Sequence, residues 1–305
     1  MVANTSGTNK IEAHEGLYFY ATMVLMIIAV LVVFGLCLGS FVNALVWRLH
    51  TQAAEQDKKK PNKKYLRDLS ITKGHSMCLS CKHPLAKRDL VPVVSWLLLR
   101  GKCRYCHKPI PDTPVAELLT PLLFVISYLY WPVSFTHPQI AVFVIWLLLL
   151  VGFVALTLYD LRWYLLPDRI VFPLSGLAVT YAIINVVTSH QVLHTIVNLA
   201  LAVAVGGGIF YVLYQVSGGR WIGGGDVKLG WLLGLVVGTP AKAALFIFAA
   251  ALGGTIVSVP LLVSGKMKRN TTIPFGPFLI AGAIISVLFG NSILNWYQHL
   301  FLLGV

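Results

Sequence analysis

The chain has 305 residues, 57% of them hydrophobic, and only 11% are charged. A soluble domain carries about 25% charged residues, so a soluble globular protein is excluded and a polytopic membrane protein is expected. The 24 Lys and Arg against 11 Asp and Glu give a net charge of +13, and fifteen of the basic residues lie between Arg48 and Lys108. One loop facing anionic lipid explains such a block better than nucleic acid does.

Residues 1–16 are expected to be a short N-terminal tail with no secretory signal. Residues 17–47 form an almost unbroken apolar run, read as a retained first transmembrane helix rather than a signal segment. It ends on Gly39-Ser-Phe-Val-Asn-Ala-Leu-Val-Trp-Arg48, where Ser40 and Asn43 share a helix face and are expected to bond to neighbouring helices. Cys37, the one cysteine outside a pair, is expected to pack as a small hydrophobe.

Residues 48–112 are the one soluble stretch. Within it, Cys78-Leu-Ser-Cys81 and Cys103-Arg-Tyr-Cys106 are two CxxC pairs. Each pair can place two thiolates on one metal, and together they close a tetrahedral shell, so Cys78, Cys81, Cys103 and Cys106 are read as structural zinc ligands. Two disulfides rank below this because the loop is expected to face a reducing compartment. His83 and His107 are not needed as ligands. Val91-Pro-Val-Val-Ser-Trp-Leu-Leu-Leu99 is apolar for a charged loop, and either packs on the zinc fold or touches the membrane.

From residue 113 onward, apolar runs follow one another at about 114–131, 139–159, 170–187, 193–216, 227–238, 241–264 and 273–290. With the first run they make about eight transmembrane helices in an all-α bundle, the run 227–238 being short for a full span. The tail from Ile293 reads as an interfacial amphipathic segment. If the 48–112 loop is cytoplasmic, the alternation puts twenty-two of the twenty-four basic residues on that side, leaving only Lys10 and Lys242 opposite. The same alternation puts Asp160, Asp168 and Asp226 on the cytoplasmic face.

Only five acids lie beyond residue 100, and Asp160 and Asp226 stand at the mouths of apolar runs. Such acids are costly unless they act, and a functional site is the default reading. Two carboxylates that share a site do not both ionise readily. One can then take a proton from water while the other donates to a scissile carbonyl. Asp160 and Asp226 are therefore the candidate catalytic pair of an aspartyl protease. Gly223 and Gly225 beside Asp226 would let an extended peptide come close, or simply form a turn. Asp168 after Pro167 reads as a helix-start residue in a supporting role, and Lys228 as a partner for an acid or for lipid phosphate. A transporter with a zinc-bearing loop is the competing class. Its acids belong near the bilayer midplane rather than at span ends.

In their order, these motifs resemble the type IV prepilin peptidases, membrane aspartyl proteases of the GxGD kind. The resemblance covers nearly the whole chain from Gly39: the first-span ending, the paired cysteines, Asp160 with Leu165-Leu-Pro-Asp168, Gly223-Gly-Gly-Asp-Val-Lys228, and Ile273-Pro-Phe-Gly-Pro-Phe278. It implies a bacterial inner-membrane enzyme that cuts the basic leader from prepilins or pseudopilins at the cytoplasmic face, with no nucleic-acid partner. It also implies that S-adenosylmethionine then methylates the new N-terminus, the alternative being a peptidase without that step. No glycine-rich fingerprint locates the methyl donor. The resemblance points to the zinc-bearing region near Gly101, Lys102 and Glu117, although Pro111-Asp-Thr-Pro114 departs from the family pattern just before Glu117.

Overall fold

The computed structural model describes residues 5–70, 74–110, 113–265 and 273–301. Among them the fold is helical, and the only β pairings are isolated antiparallel bridges at Met77–Pro84 and Lys102–Pro109. The first helix, α1 (Thr5–Gln56), is followed by α2 (Lys63–Asp68), a 3-10 turn at Lys87–Leu90, α3 (Val94–Leu98) and α4 (Val115–Leu129). Next come α5 (His137–Trp163), α6 (Asp168–Val187) and α7 (Val192–Val203), which a π-helical turn at Ala204–Gly208 joins to α8 (Ile209–Ser217). The chain closes with α9 (Gly224–Val237), α10 (Pro240–Val263) and α11 (Gly276–Phe301).

Among the described residues six stretches are long and apolar enough to cross a membrane: Tyr20–Gln56, His137–Trp163, Asp168–Val187, Val192–Ser217, Pro240–Val263 and Gly276–Leu300. This is a multi-pass membrane protein. The two remaining apolar runs form shorter helices, α4 with 15 residues and α9 with 14. At 1.5 Å per residue α9 measures about 21 Å against a hydrocarbon core of about 30 Å.

Several expectations shift. Helix α1 runs from Thr5 to Gln56, well beyond 17–47, because Thr51-Gln-Ala-Ala-Glu-Gln56 is made mostly of good helix formers. Helix α11 continues unbroken to Phe301, so Ile293 begins no separate interfacial segment. Cys37 lies on an exposed face of α1 rather than in packing. Asn43 Oδ1 is buried without a hydrogen-bond partner among the described residues. The Lys266, Lys268 and Arg269 cluster and Pro111-Asp112 lie outside the described residues.

The chain divides into two compact units, which split the 48–112 stretch between them. The first contains α1 up to Phe41 together with Ser76–Leu129. Here glycines let α1 and α4 touch backbone to backbone: a Cβ on Gly35 would lie 2.8 Å from Pro121 N, and one on Gly39 would lie 2.7 Å from Glu117 Cα. Small residues at such a crossing suit helix association in lipid.

The second unit contains α1 from Val42, α2, and Tyr130 onward. Helix α5 is its central post. Trp146, Leu149, Leu150, Phe153 and Leu156 are fully buried along it. Helix α9 is also held inside protein, burying Val227, Leu229, Leu232, Leu233 and Val236. A helix too short to span is tolerated where neighbouring helices, not lipid, surround it. The π-helical turn makes room for that contact, since a Cβ on Gly206 would lie 3.0 Å from Gly230 O and one on Gly230 would lie 2.8 Å from Phe210 Cδ2. The C-terminal end of α1 is tied into this unit. His50 stacks on Trp163 at 3.8 Å, and Arg169 donates to Gln52 and Gln56.

Candidate functional site

Four helix ends of the second unit meet around Asp160. Helix α5 ends at Trp163, and Tyr164 caps it in the left-handed region at φ 56°, donating to the Asp160 carbonyl at 2.8 Å. That cap turns the chain back through Leu165, Leu166 and Pro167, and α6 begins at Asp168. Asp160 is only 6% exposed and sits in the last turn of α5, where the helix dipole opposes negative charge. Neither burial nor position favours a carboxylate, so its presence needs a chemical reason.

Among the described residues one backbone group is bonded to that carboxylate. The backbone N–H of Gly276, the first residue of α11, donates to Asp160 Oδ2 at 3.1 Å. Free N–H groups at a helix start are suited to anions. A Cβ at residue 276 would stand 2.6 Å from the same oxygen, so only glycine lets the helix start approach this closely.

Asp226 stands in the first turn of α9, three residues after the N-cap Gly223, and its backbone N–H donates to the Gly223 carbonyl at 3.1 Å. An acid in the first turn of a helix suits the positive end of the helix dipole. The three glycines differ in use. Gly223 caps, while Gly225 is pressed against Leu166, where a Cβ would lie 3.1 Å from Leu166 Cβ. Gly224 has ordinary room. Leu166 also lies 3.6 Å from where a Cβ on Gly276 would sit, so one side chain abuts the starts of both α9 and α11. The starts of α9, which carries Asp226, and of α11, whose Gly276 N–H bonds Asp160, thereby converge on Leu166.

Asp168 and Lys228 form an outer tie. Lys228 Nζ lies 2.6 Å from Asp168 Oδ1, and the ammonium sits 5.6 Å over the Phe172 ring. The two side chains are 45% and 51% exposed, so the pair contributes little net stability, on the order of 0–1 kcal/mol. Its geometric effect is to hold the starts of α6 and α9 side by side.

Sequence reasoning placed Gly276 in a last-span signature and gave Leu166 no role. A glycine between Pro274-Phe275 and Pro277, at the start of a helix, was the available signal. Only the fold shows that its N–H faces Asp160.

The cysteines gather in the first unit. The Sγ atoms of Cys78, Cys81, Cys103 and Cys106 all lie within 4.8 Å of one another, and Cys78 and Cys106 are 3.8 Å apart. Zinc–sulfur bonds of about 2.3 Å in a tetrahedron put the sulfurs about 3.8 Å apart, so the donor set fits such an ion. The two pairs are near copies, offset by 25 residues. Lys82 donates to Cys78 O and His107 to Cys103 O, both in the left-handed region, while Cys78 N and Cys103 N donate to His83 O and Lys108 O. Burial would push the Cys78 thiol up, but the backbone N–H groups of Cys81 and Ser80, with the thiols of Cys103 and Cys81, pull it down to about 7. The cluster can hold a metal ion.

Asp89 locks the second knuckle to the 3-10 turn. Its side chain is 2% exposed and accepts from Arg104 Nε at 2.7 Å, from the Tyr105 hydroxyl at 3.0 Å and from Ala86 N. Burial alone would raise this carboxyl; the bonds from Arg104 and Tyr105 outweigh it and hold the group below its ordinary range. His83 stacks on Tyr105 at 3.8 Å and is occupied there rather than as a ligand. Glu117 Oε2 accepts from Val93 N at 2.6 Å and holds that residue at φ 60°. Gly101 turns at φ 68° against Trp96, and Lys102 pairs with Pro109. These contacts give the apolar 91–99 loop a built shape with Val94, Leu97 and Leu98 exposed.

Comparison with known proteins agrees with this organisation. The model for the bacterial peptidase A24 N-terminal domain matches residues 33–131, and that for the type IV leader peptidase family matches residues 141–259. The chain is 30% identical over 271 residues to a prepilin leader peptidase/N-methyltransferase of Bacillus subtilis, covering 88% of this chain and 97% of the relative. It is 32% identical to the protein of the same name in Pseudomonas aeruginosa, covering 87% of this chain and 91% of that one. A type 4 prepilin-like proteins leader peptide-processing enzyme of Escherichia coli is 32% identical over 83% of this chain and 90% of its own length. No solved structure matches the chain. With relatives this similar over nearly their full length, and with both halves matched in order, the chain belongs to the type IV leader peptidase family and is a membrane peptidase.

Proposed function

We propose that this protein cleaves the leader from type IV prepilins or pseudopilins at the cytoplasmic face of the bacterial inner membrane, with Asp160 and Asp226 as the catalytic pair. The observation that carries the reading is the convergence, around Leu166, of the end of α5 that bears Asp160, the start of α9 that bears Asp226 and the start of α11. In such a pair one carboxylate is ionised and the other protonated. The ionised member takes a proton from water as the oxygen attacks the scissile carbonyl, and the protonated member donates to the carbonyl oxygen. When the carbon–nitrogen bond breaks, the carboxyl that took the proton from water gives it to the departing amine, and a hydroxyl of the tetrahedral intermediate returns its proton to the other carboxylate as the new carbonyl forms. The Gly276 N–H holds one oxygen of Asp160 and leaves the other for this traffic. The concentration of basic residues in 48–108 supports the cytoplasmic orientation.

The four thiolates would hold zinc, whose contribution is to fold the loop they bracket. The names of the relatives include N-methyltransferase. On this reading the freed N-terminus receives a methyl group from S-adenosylmethionine, and the donor site is proposed beside Gly101, Lys102 and Glu117 on the zinc-bearing region.

The test is leader cleavage in membranes with a prepilin substrate, with and without S-adenosylmethionine. Asp160→Asn and Asp226→Asn are each expected to abolish cleavage while the protein stays inserted. Near-wild-type cleavage by either variant overturns the assignment. Mass spectrometry of the product reads methylation, and an unmodified N-terminus in the presence of the methyl donor leaves a peptidase alone.

A further inference from the structure

Helix α3 in the first unit is short, but its apolar residues share a side. Val94, Leu97 and Leu98 stand at helical positions i, i+3 and i+4. They are 50%, 60% and 76% exposed, and no described residue of the chain covers them. The 3-10 turn at Lys87–Leu90 packs on α3, and Leu90 and the following Val91 are exposed as well. An apolar patch bared on a strongly charged segment is the mark of an interaction surface.

The place where α3 is fixed says what lies against this face. The backbone N–H of Val93, its N-cap, donates to Glu117 Oε2 at 2.6 Å. Val93 is held at φ 60°, a conformation that a β-branched residue adopts only under constraint. Glu117 lies in the first turn of α4, and its Cα packs against Gly39 of α1. The span in α1 begins at Tyr20, an exposed aromatic suited to the membrane–water boundary. Gly39 follows it by nineteen residues, about 28 Å at 1.5 Å per residue, and the hydrocarbon core is about 30 Å thick. Val93 is therefore pinned at the level where α1 leaves the hydrocarbon. The exposed apolar band of α4, with Val115, Leu118 and Leu122, starts at that same level.

The surroundings of the patch are cationic. Residues 76–110 hold seven basic residues, and Lys87, Arg88 and Arg100, which flank the apolar stretch, are exposed. The one acid of that segment, Asp89, has a buried side chain bonded to Arg104. The basic residues also outnumber the double negative charge that four thiolates around a zinc ion would carry.

We propose that α3 is an interfacial anchor that docks the zinc-bearing segment on anionic phospholipid. Val94, Leu97 and Leu98 dip to the boundary between headgroups and acyl chains, beside the point where α1 and α4 enter the bilayer. Lys87, Arg88 and Arg100 lie among the lipid phosphates, each favouring the docked state about fivefold. Insertion removes the leucines from water, and the Val93–Glu117 bond keeps α3 at the depth where this is possible.

The experiment uses the full-length protein with Leu98 replaced by the photocrosslinker benzoylphenylalanine. It is reconstituted in phosphatidylcholine vesicles with and without phosphatidylglycerol, irradiated, and analysed by mass spectrometry of the peptide bearing position 98. Lipid adducts are expected there, in higher yield when phosphatidylglycerol is present. Arg88→Gln together with Arg100→Gln is expected to lower that yield by about five- to twenty-fivefold, about fivefold for each cation lost, and to leave the yield in phosphatidylcholine alone unchanged. If the double variant fails to insert, Leu97→Ser, which alters one exposed side chain, carries the test with an expected loss of about tenfold. Absence of lipid adducts at position 98, adducts to a second copy of the chain in their place, equal yields from the two kinds of vesicle, or equal yields with and without these substitutions overturn the proposal.

Discussion

The backbone N–H of Gly276 reaches Asp160 Oδ2 at 3.1 Å across 116 residues of chain, and the same oxygen would be 2.6 Å from any Cβ at position 276. Gly276→Ala therefore tests orientation separately from charge, since both carboxylates remain. The added methyl must push α11 or Asp160 aside. Displacement on the order of 1 Å in a catalytic group costs about a hundredfold. Leader cleavage is expected to fall by about ten- to a hundredfold while insertion persists. A variant with wild-type cleavage would show that the contact positions nothing.

Asp168 and Lys228 are predicted to support rather than react. Their ion pair is half-exposed, and its loss removes at most about 1 kcal/mol. Asp168→Asn is expected to lower cleavage by less than about tenfold, whereas Asp160→Asn abolishes it. Complete loss in Asp168→Asn, with the fold intact by circular dichroism, would move Asp168 into the chemistry.

The crossing of α9 with the π-helical turn has no room to spare. A Cβ on Gly230 would press on Phe210 Cδ2 at 2.8 Å. Overpacking of this kind costs roughly 1–3 kcal/mol. Gly230→Ala is expected to lower the thermal unfolding midpoint in detergent and to reduce cleavage with it, because α9 carries Asp226. Gly224→Ala, with ordinary room at its Cβ, is the control expected to leave the midpoint unchanged. Equal midpoints for Gly230→Ala and wild type would count against the close crossing.

Metal removal should act on the first unit alone. Cys78→Ser, or a strong chelator, is expected to release the ion and to expose the 76–110 segment to protease. Elemental analysis that finds the same metal content in Cys78→Ser and wild type would exclude a four-thiolate site.

Composition and spacing were enough for the helical membrane class, because apolar runs and metal-ligand spacings are local signals. They also supplied the cysteine set and the two candidate aspartates. Helix ends were less legible. Nothing local halts α1 at residue 47, and nothing stops α11 at Asn291, so both run on.

What only the tertiary structure decided is how the span ends meet. The sequence marks Gly223, Gly225 and Gly276 as permissive, but permission does not name a neighbour. That Gly225 admits Leu166, that Gly276 admits Asp160, and that α9 survives at 14 residues by being wrapped in protein all depend on contacts between distant segments. Close approach is a property of two surfaces, and a single chain read in order shows only one of them at a time.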